Sequence, residues 1–120
     1  MDWKHALREK QEIVLATCSK NGVPRAIMVI SLGLVDDKLL IGACLMKKTL
    51  ENIKKNNKVS LVTKYDKNYY RIEGEAKIYP SGKYFDIAYS KSSPPMPKSA
   101  ILIEINEVFD LDKQEKIWIR

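Results

Sequence analysis

Leu39-Leu40-Ile41-Gly42-Ala43-Cys44 runs through Leu45-Met46 into Lys47-Lys48-Thr49-Leu50-Glu51-Asn52-Ile53, and this junction decides how the rest of the chain is read. The first six residues are a short apolar run ending in small side chains, which reads as a strand. The residues after Met46 start a short helix over roughly 48–56, with Leu50 and Ile53 on its buried side. Two lysines stand at the helix entrance, where unpaired N–H groups already carry partial positive charge. An anion relieves that conflict, so Lys47, Lys48 and Thr49 form a candidate phosphate site. The simpler reading sends both lysines into water. Gly42-Ala43 removes bulk just before the helix, which suits either a ligand close to the backbone or tight packing by the helix.

Upstream of this junction, residues 2–11 read as an amphipathic helix with Trp3, Ala6, Leu7 and Lys10 on one side. Glu12 to Cys18 is dense in β-branched residues and reads as a strand. Asn21-Gly22 is a hairpin signal, and Pro24 belongs at the start of the next strand because it cannot donate to a ladder. Arg25 to Val35 is long and mostly apolar, as a strand buried on both faces would be, with a bend at Gly33. Asp36-Asp37 turns the chain into the strand over 38–44.

Downstream, Asn56-Asn57 ends the helix through asparagine's tolerance of the left-handed conformation. Residues 58–65 form a strand. Residues 69–79 alternate Tyr70, Ile72, Gly74, Ala76 and Ile78 against Arg71, Glu73, Glu75, Lys77 and Tyr79, the pattern of a half-solvated antiparallel strand. A short helix follows from about Lys83 to Ser90. Lys91 to Lys98 holds three prolines and two serines, so it must be a surface loop of the kind that often carries function. Ser99 to Ile105 is a strand, Glu107 to Leu111 extends or re-enters the sheet, and Ile117-Trp118-Ile119 is an edge strand or a tail facing a partner. Few helices and mostly antiparallel connections predict a mainly β fold, a small Greek-key or split barrel, in a single domain over 1–120.

Composition narrows the function. The 120 residues carry 30% charged and 45% hydrophobic side chains, so the chain is neither disordered nor fibrous. No apolar run reaches the ~20 residues of a membrane helix, and the first residues lack a signal-peptide core, so a cytoplasmic location is expected. The net charge of +6 comes mainly from scattered lysines rather than a clustered basic face, which argues against nucleic acid. Cys18 and Cys44 fall inside apolar strand patterns and read as small buried hydrophobes. With His5 the sole histidine, no metal-ligand spacing exists. No serine or cysteine sits in a nucleophile signature, and no catalytic residue is assigned.

The ordered set Ala16-Thr17, Asn21-Gly22-Val23-Pro24-Arg25, the strand to Val35, Asp37, the strand to Cys44, Lys48-Thr49 with Asn52-Ile53 and Asn56, Val59-Ser60-Leu61, Gly74-Glu75-Ala76, Tyr84-Phe85 and Ile101–Ile105 resembles the FMN-binding split-barrel proteins related to pyridoxamine phosphate oxidase. The resemblance runs from about Ile13 to Leu111 and is closest to the short FMN-binding members. It implies an antiparallel split barrel forming a homodimer, with FMN at the subunit interface and a small-molecule redox substrate. Carried over, Lys47, Lys48 and Thr49 would hold the phosphate, Cys44 and Leu45 would offer backbone near the ribityl chain, and Met28, Val29 and Ile30 would line the isoalloxazine ring. Arg25 would add charge, and the loop around Met96 would reach over from the other subunit. The tail holds only Arg120 and no histidine, so the family's pyridoxal-phosphate-reading pair has no match, which argues against vitamin B6 oxidation. The alternatives are a non-catalytic flavin-binding or electron-transfer protein, a deazaflavin or haem in place of FMN, and a nucleic-acid-binding small barrel. The single histidine weighs against haem.

Overall fold

Inward-facing apolar residues at every second position build the barrel seen in the computed structural model, which describes residues 3–120. The elements are a 3₁₀ helix (Trp3–Leu7), β1 (Glu12–Cys18), β2 (Pro24–Val35), β3 (Lys38–Ala43), α1 (Lys47–Lys55), β4 (Lys58–Tyr65), β5 (Asn68–Tyr79), α2 (Lys83–Lys91), β6 (Ser99–Asp110) and β7 (Glu115–Ile119). β1, β2 and β3 form a meander, and the chain then crosses through α1 to lay β4 beside β1, which is the Greek-key move. The order is β3-β2-β1-β4-β5-β6, and β6 pairs back onto β3, closing six antiparallel strands into a barrel. β6 is long enough to do both jobs. Its first half, Ser99 to Ile103, pairs with β3, its whole length follows β5, and its last residues carry β7 as an outer edge strand.

Leu15, Leu39, Ile41, Leu61, Ile72, Ile101, Ile103 and Val108 are fully buried inside the barrel. Removing such side chains from water is the main stabilising term, about 1.5–3 kcal/mol for each large apolar residue. The two ends are closed differently. At one, the 3₁₀ helix buries Trp3, Ala6 and Leu7, and its carbonyls accept from barrel hydroxyls: Thr63 Oγ1 donates to Ala6 (2.7 Å) and Ser31 Oγ to Leu7 (2.7 Å). At the other, α1 packs on β1 and β5 and buries Thr49, Asn52 and Ile53. Among the described residues no helix is long and apolar enough to cross a membrane.

Three local expectations change. The helix expected over 2–11 is a 3₁₀ turn ending at Leu7, with residue 2 outside the described residues. Lys10 leaves the buried side, with φ +71, because its N–H bonds the Ser31 carbonyl (2.8 Å) while the Ser31 N–H bonds Gln11 (2.9 Å). β2 is not buried on both faces. Val29 and Ser31 point inward, whereas Met28 is 60% and Ile30 47% exposed; among the described residues, only further along does the outer side gain cover, where Leu32 and Val35 pack against the cluster that holds Ala88 of α2. Asn56 ends α1 in an extended conformation, not a left-handed one. Its N–H bonds the Asn52 carbonyl (2.7 Å) and its Oδ1 accepts from the Lys58 N–H (3.2 Å). The bend expected at Gly33 is present as a β-bulge between Ser31 and Leu34, with Gly33 at φ +94, a conformation that favours glycine.

Candidate functional site

The outer side of β2 is the floor of a groove of about 630 Å³, within the range of about 300–1,000 Å³ typical of small-molecule sites. Strand register orders it. Arg25 lies at one end, opposite Thr17 of β1, and Leu32 lies at the other, past the Ser31 pairing with Ile41. The chain leaving β3 forms the wall: Gly42, Cys44, Leu45 and Met46, then Lys48 and Thr49 of α1. Ser92, Ser93 and Pro95 from the loop after α2 continue that wall, with Glu9, Lys10 and Lys91 at the Leu32 end.

Arg25, Met28, Val29, Ile30, Cys44, Leu45, Lys48 and Thr49, expected from the sequence to share a site, all line this groove. Lys47 does not; it is exposed on the first turn of α1, away from the lining. Val29 contributes only along the strand, because its side chain is 4% exposed and belongs to the core. Met28, Ile30 and Leu45 supply the apolar surface, Leu45 being 89% exposed.

The start of α1 has no side-chain cap: Met46 holds the N-cap position and makes no such bond. The first N–H groups of the helix, which have no intrahelical acceptor, therefore lack a capping side chain as well, at the end where the helix field attracts anions. Thr49 is buried at 2% exposure and Lys48 is 59% exposed, with a 3.6 Å ion pair to Glu51 one turn on. An exposed pair of that kind is weak and exchanges readily for another anion. α1 is held in place by Asn52, whose Nδ2 donates to Thr17 Oγ1 at 3.0 Å.

Cys44 is not a buried core residue. It is half-buried, lines the groove, and its Sγ donates to the Pro95 carbonyl at 3.3 Å. Gly42 is small for a packing reason, though the partner is the loop rather than α1: a Cβ there would stand 3.2 Å from the Pro97 side chain. The loop from Ser92 to Pro97 thus seats on its own β3, helped by the Lys98 N–H bonding the Ala43 carbonyl (2.9 Å).

Sequence reading missed the Leu32 end. Lys91 Nζ lies 2.6 Å from Glu9 Oε1 and donates to the Leu32 carbonyl at 3.3 Å. The hydrogen bond and charge of Lys91 hold the Glu9 carboxyl below its ordinary range. Nothing in the local pattern around Glu9 announces this meeting, although the proline- and serine-rich loop beside Lys91 does read as functional. Among the described residues no group of three or more His, Cys, Asp or Glu side chains converges as a metal site requires.

The arrangement has a basic, uncapped helix entrance joined to an exposed apolar strip, which suits an anion attached to a flat apolar body. The residues present fit a flavin mononucleotide in that respect. Among known proteins, the chain is 36% identical over 111 residues to an uncharacterized protein of Methanocaldococcus jannaschii, covering 86% of this chain and 74% of the relative. The crystal structure of HupZ from Group A Streptococcus superposes with a TM-score of 0.80 at 25% identity, covering 89% of this chain and 90% of that one. An FMN-binding protein from Syntrophomonas wolfei shares the fold at 16% identity, with a TM-score of 0.68 over 90% of this chain and 80% of that one. The family model described as pyridoxamine 5'-phosphate oxidase matches residues 2–112, so the chain belongs to the pyridoxamine 5'-phosphate oxidase family of split barrels.

Proposed function

We propose that the groove on β2 binds FMN and that the protein is an oxidoreductase acting on a small-molecule substrate. The observation that carries this reading is the continuity, within one groove, of the uncapped α1 entrance with the exposed Met28, Ile30 and Leu45 surface. Bound FMN supplies the electron- and hydride-transfer chemistry. Lys48, Arg25 and the N–H groups at the start of α1 bind the phosphate by charge-assisted hydrogen bonds. Met28, Ile30 and Leu45 exclude water from the ring, and backbone N–H groups of the strand and of Cys44-Leu45 serve where side chains offer no polar atom.

The outer face of the sheet supports a dimer. Val62, Val14 and Met28 stand side by side across β4, β1 and β2, with Val62 and Met28 exposed. Such a row beside the groove is the kind of surface a second copy covers. Light scattering should give twice the chain mass, and Met28→Glu should shift it toward one; a monomeric wild type refutes the dimer.

One titration tests the cofactor. Purified protein given FMN should take up one equivalent per chain, with a shifted visible flavin band, and no uptake at micromolar concentrations refutes the reading. Turnover of the loaded protein with a nicotinamide reductant separates an oxidoreductase from a flavin carrier.

A further inference from the structure

The groove has two cationic ends. The first is Arg25 with Lys48. The second lies seven residues further along β2, at Leu32, roughly 23 Å away at about 3.3 Å per residue. A phosphate held at the first end cannot also occupy the second, so the Leu32 end is available for a different ligand group.

At that end Lys91 Nζ already holds a carboxylate, that of Glu9, at 2.6 Å, and it is steadied by the Leu32 carbonyl at 3.3 Å. Gly33 makes room for the arrangement, since a Cβ there would stand 3.1 Å from Glu9 Cγ. Lys10 lines the same end and its charge acts on Glu9 in the same direction as that of Lys91. Glu9 belongs to the short connection between the 3₁₀ helix and β1, and Lys91 is the last residue of α2. The Glu9 side chain is 52% exposed and the Lys91 side chain 35%, so the contact is screened, weak, and open to exchange. Glu9 can swing into water without exposing core. An ammonium on the rim of a ligand groove that already takes a carboxylate is a carboxylate site, and the carboxylate it takes here is tethered.

We propose that Lys91 is the anchor of a carboxylate-binding subsite at the far end of the groove, and that Glu9 is an internal competitor which an incoming carboxylate displaces. The substrate class is then a carboxylate with a flat apolar body, the body lying beyond the flavin ring at the Leu32 end of the groove and the acid reaching Lys91. Glu9 sets the threshold: it lowers the affinity for every free anion and keeps Lys91 paired when the groove holds none. The inference rests on the groove being the ligand site proposed above.

Benzoate and its neutral isostere benzamide are the probes. Calorimetric titration is run on the protein with and without FMN, for wild type, Glu9→Gln, Lys91→Met and Lys91→Arg. Glu9→Gln should tighten benzoate at least threefold, because the competitor is gone. Lys91→Met should weaken it at least tenfold, and Lys91→Arg should stay within a few-fold of wild type, which guards against a folding defect in the methionine variant. Benzamide should move less than twofold in all three. A pair that serves only to brace the fold predicts shifts of the same sign in Glu9→Gln and Lys91→Met, and that result overturns the proposal. So does equal response of benzoate and benzamide, or no benzoate binding to Glu9→Gln. FMN uptake is measured separately on the same proteins. Its failure removes the flavin reading, while the benzoate arms on flavin-free protein still decide the role of Glu9.

Discussion

Asn52 of α1 and Thr17 of β1 meet through one buried hydrogen bond, Nδ2 to Oγ1 at 3.0 Å, and this contact sets where the helix entrance faces. Both residues are about 4% exposed, so neither can turn to water. Thr17→Val leaves the Asn52 amide without its acceptor and should cost about 1–3 kcal/mol in urea unfolding. Asn52→Leu should cost a similar amount, and the double variant less than the sum, since removing both partners leaves no orphan. FMN affinity should fall in the single variants as well, because the N-terminus of α1 loses its tie to the barrel. Strict additivity of the two stability losses would show that the bond does not couple these elements.

The two lysines at the start of α1 should behave differently. Lys48 lines the groove and Lys47 does not. Lys48→Ala should weaken FMN by about tenfold or more, the value of one charge-assisted hydrogen bond, and Lys47→Ala by less than about twofold. Raising the salt concentration should narrow the difference. Equal losses from both, read by fluorescence titration, would mean that only net charge matters.

Gly74 sits at the β-bulge where β5 crosses β6. A Cβ added there would run into the Glu104 carbonyl and stand 3.0 Å from the Ile103 side chain. Backbone cannot yield as a flexible side chain does. Gly74→Ala should lower the urea midpoint at unchanged slope, with a loss of about 1–3 kcal/mol. An unchanged midpoint would show that the ladder slides freely at the bulge.

Asp36, in the β2–β3 turn, ties that turn to α2. It accepts from Lys83 Nζ at 2.9 Å and Tyr84 Oη at 2.8 Å. The Lys83 hydrogen bond first, then that of Tyr84, hold the Asp36 carboxyl below its ordinary 3.8. The Asp36 hydrogen bond raises Lys83 above 10.5 and Tyr84 above 10.0. A lowered carboxyl adds stability above its unfolded value and loses it as pH falls through the folded one. A raised ammonium or phenol adds stability below its unfolded value and loses it as pH rises through the folded one. The tie therefore acts in full between pH 3.8 and 10.0. Asp36→Asn keeps a residue tolerant of the positive φ and removes the charge, so it should lower Tm slightly at pH 7, with the gap closing in strong acid. A gap that persists at pH 2 would assign the effect to shape, not charge.

How much of this was legible beforehand differs by element. The alternation of Tyr70, Ile72, Gly74, Ala76 and Ile78 announces which side of β5 is buried, and the structure buries that side, with Ile78 only partly covered. Pro24 opens β2 because a residue without an N–H can only sit where no ladder bond is needed. Lys48 and Thr49 could be placed beside the strand-end residues Cys44 and Leu45 because all four lie within six positions of chain. Such features follow from local backbone geometry, which is periodic and therefore written in the sequence.

The sequence by itself determined the strands, their turns, a small antiparallel barrel as the class of fold, and the basic start of α1. Only the tertiary structure decided what these elements enclose. The closure of the barrel by β6 on β3, the bond from Asn52 to a threonine 35 residues away, the seating of Pro97 on Gly42 and the meeting of Glu9 with Lys91 all join segments remote in the chain. The exposure of Met28 and Ile30 was equally hidden, since an apolar strand looks the same whether its outer face is covered or bare. Periodicity records which side of an element is apolar. Which surface it meets is set by the packing of all the others.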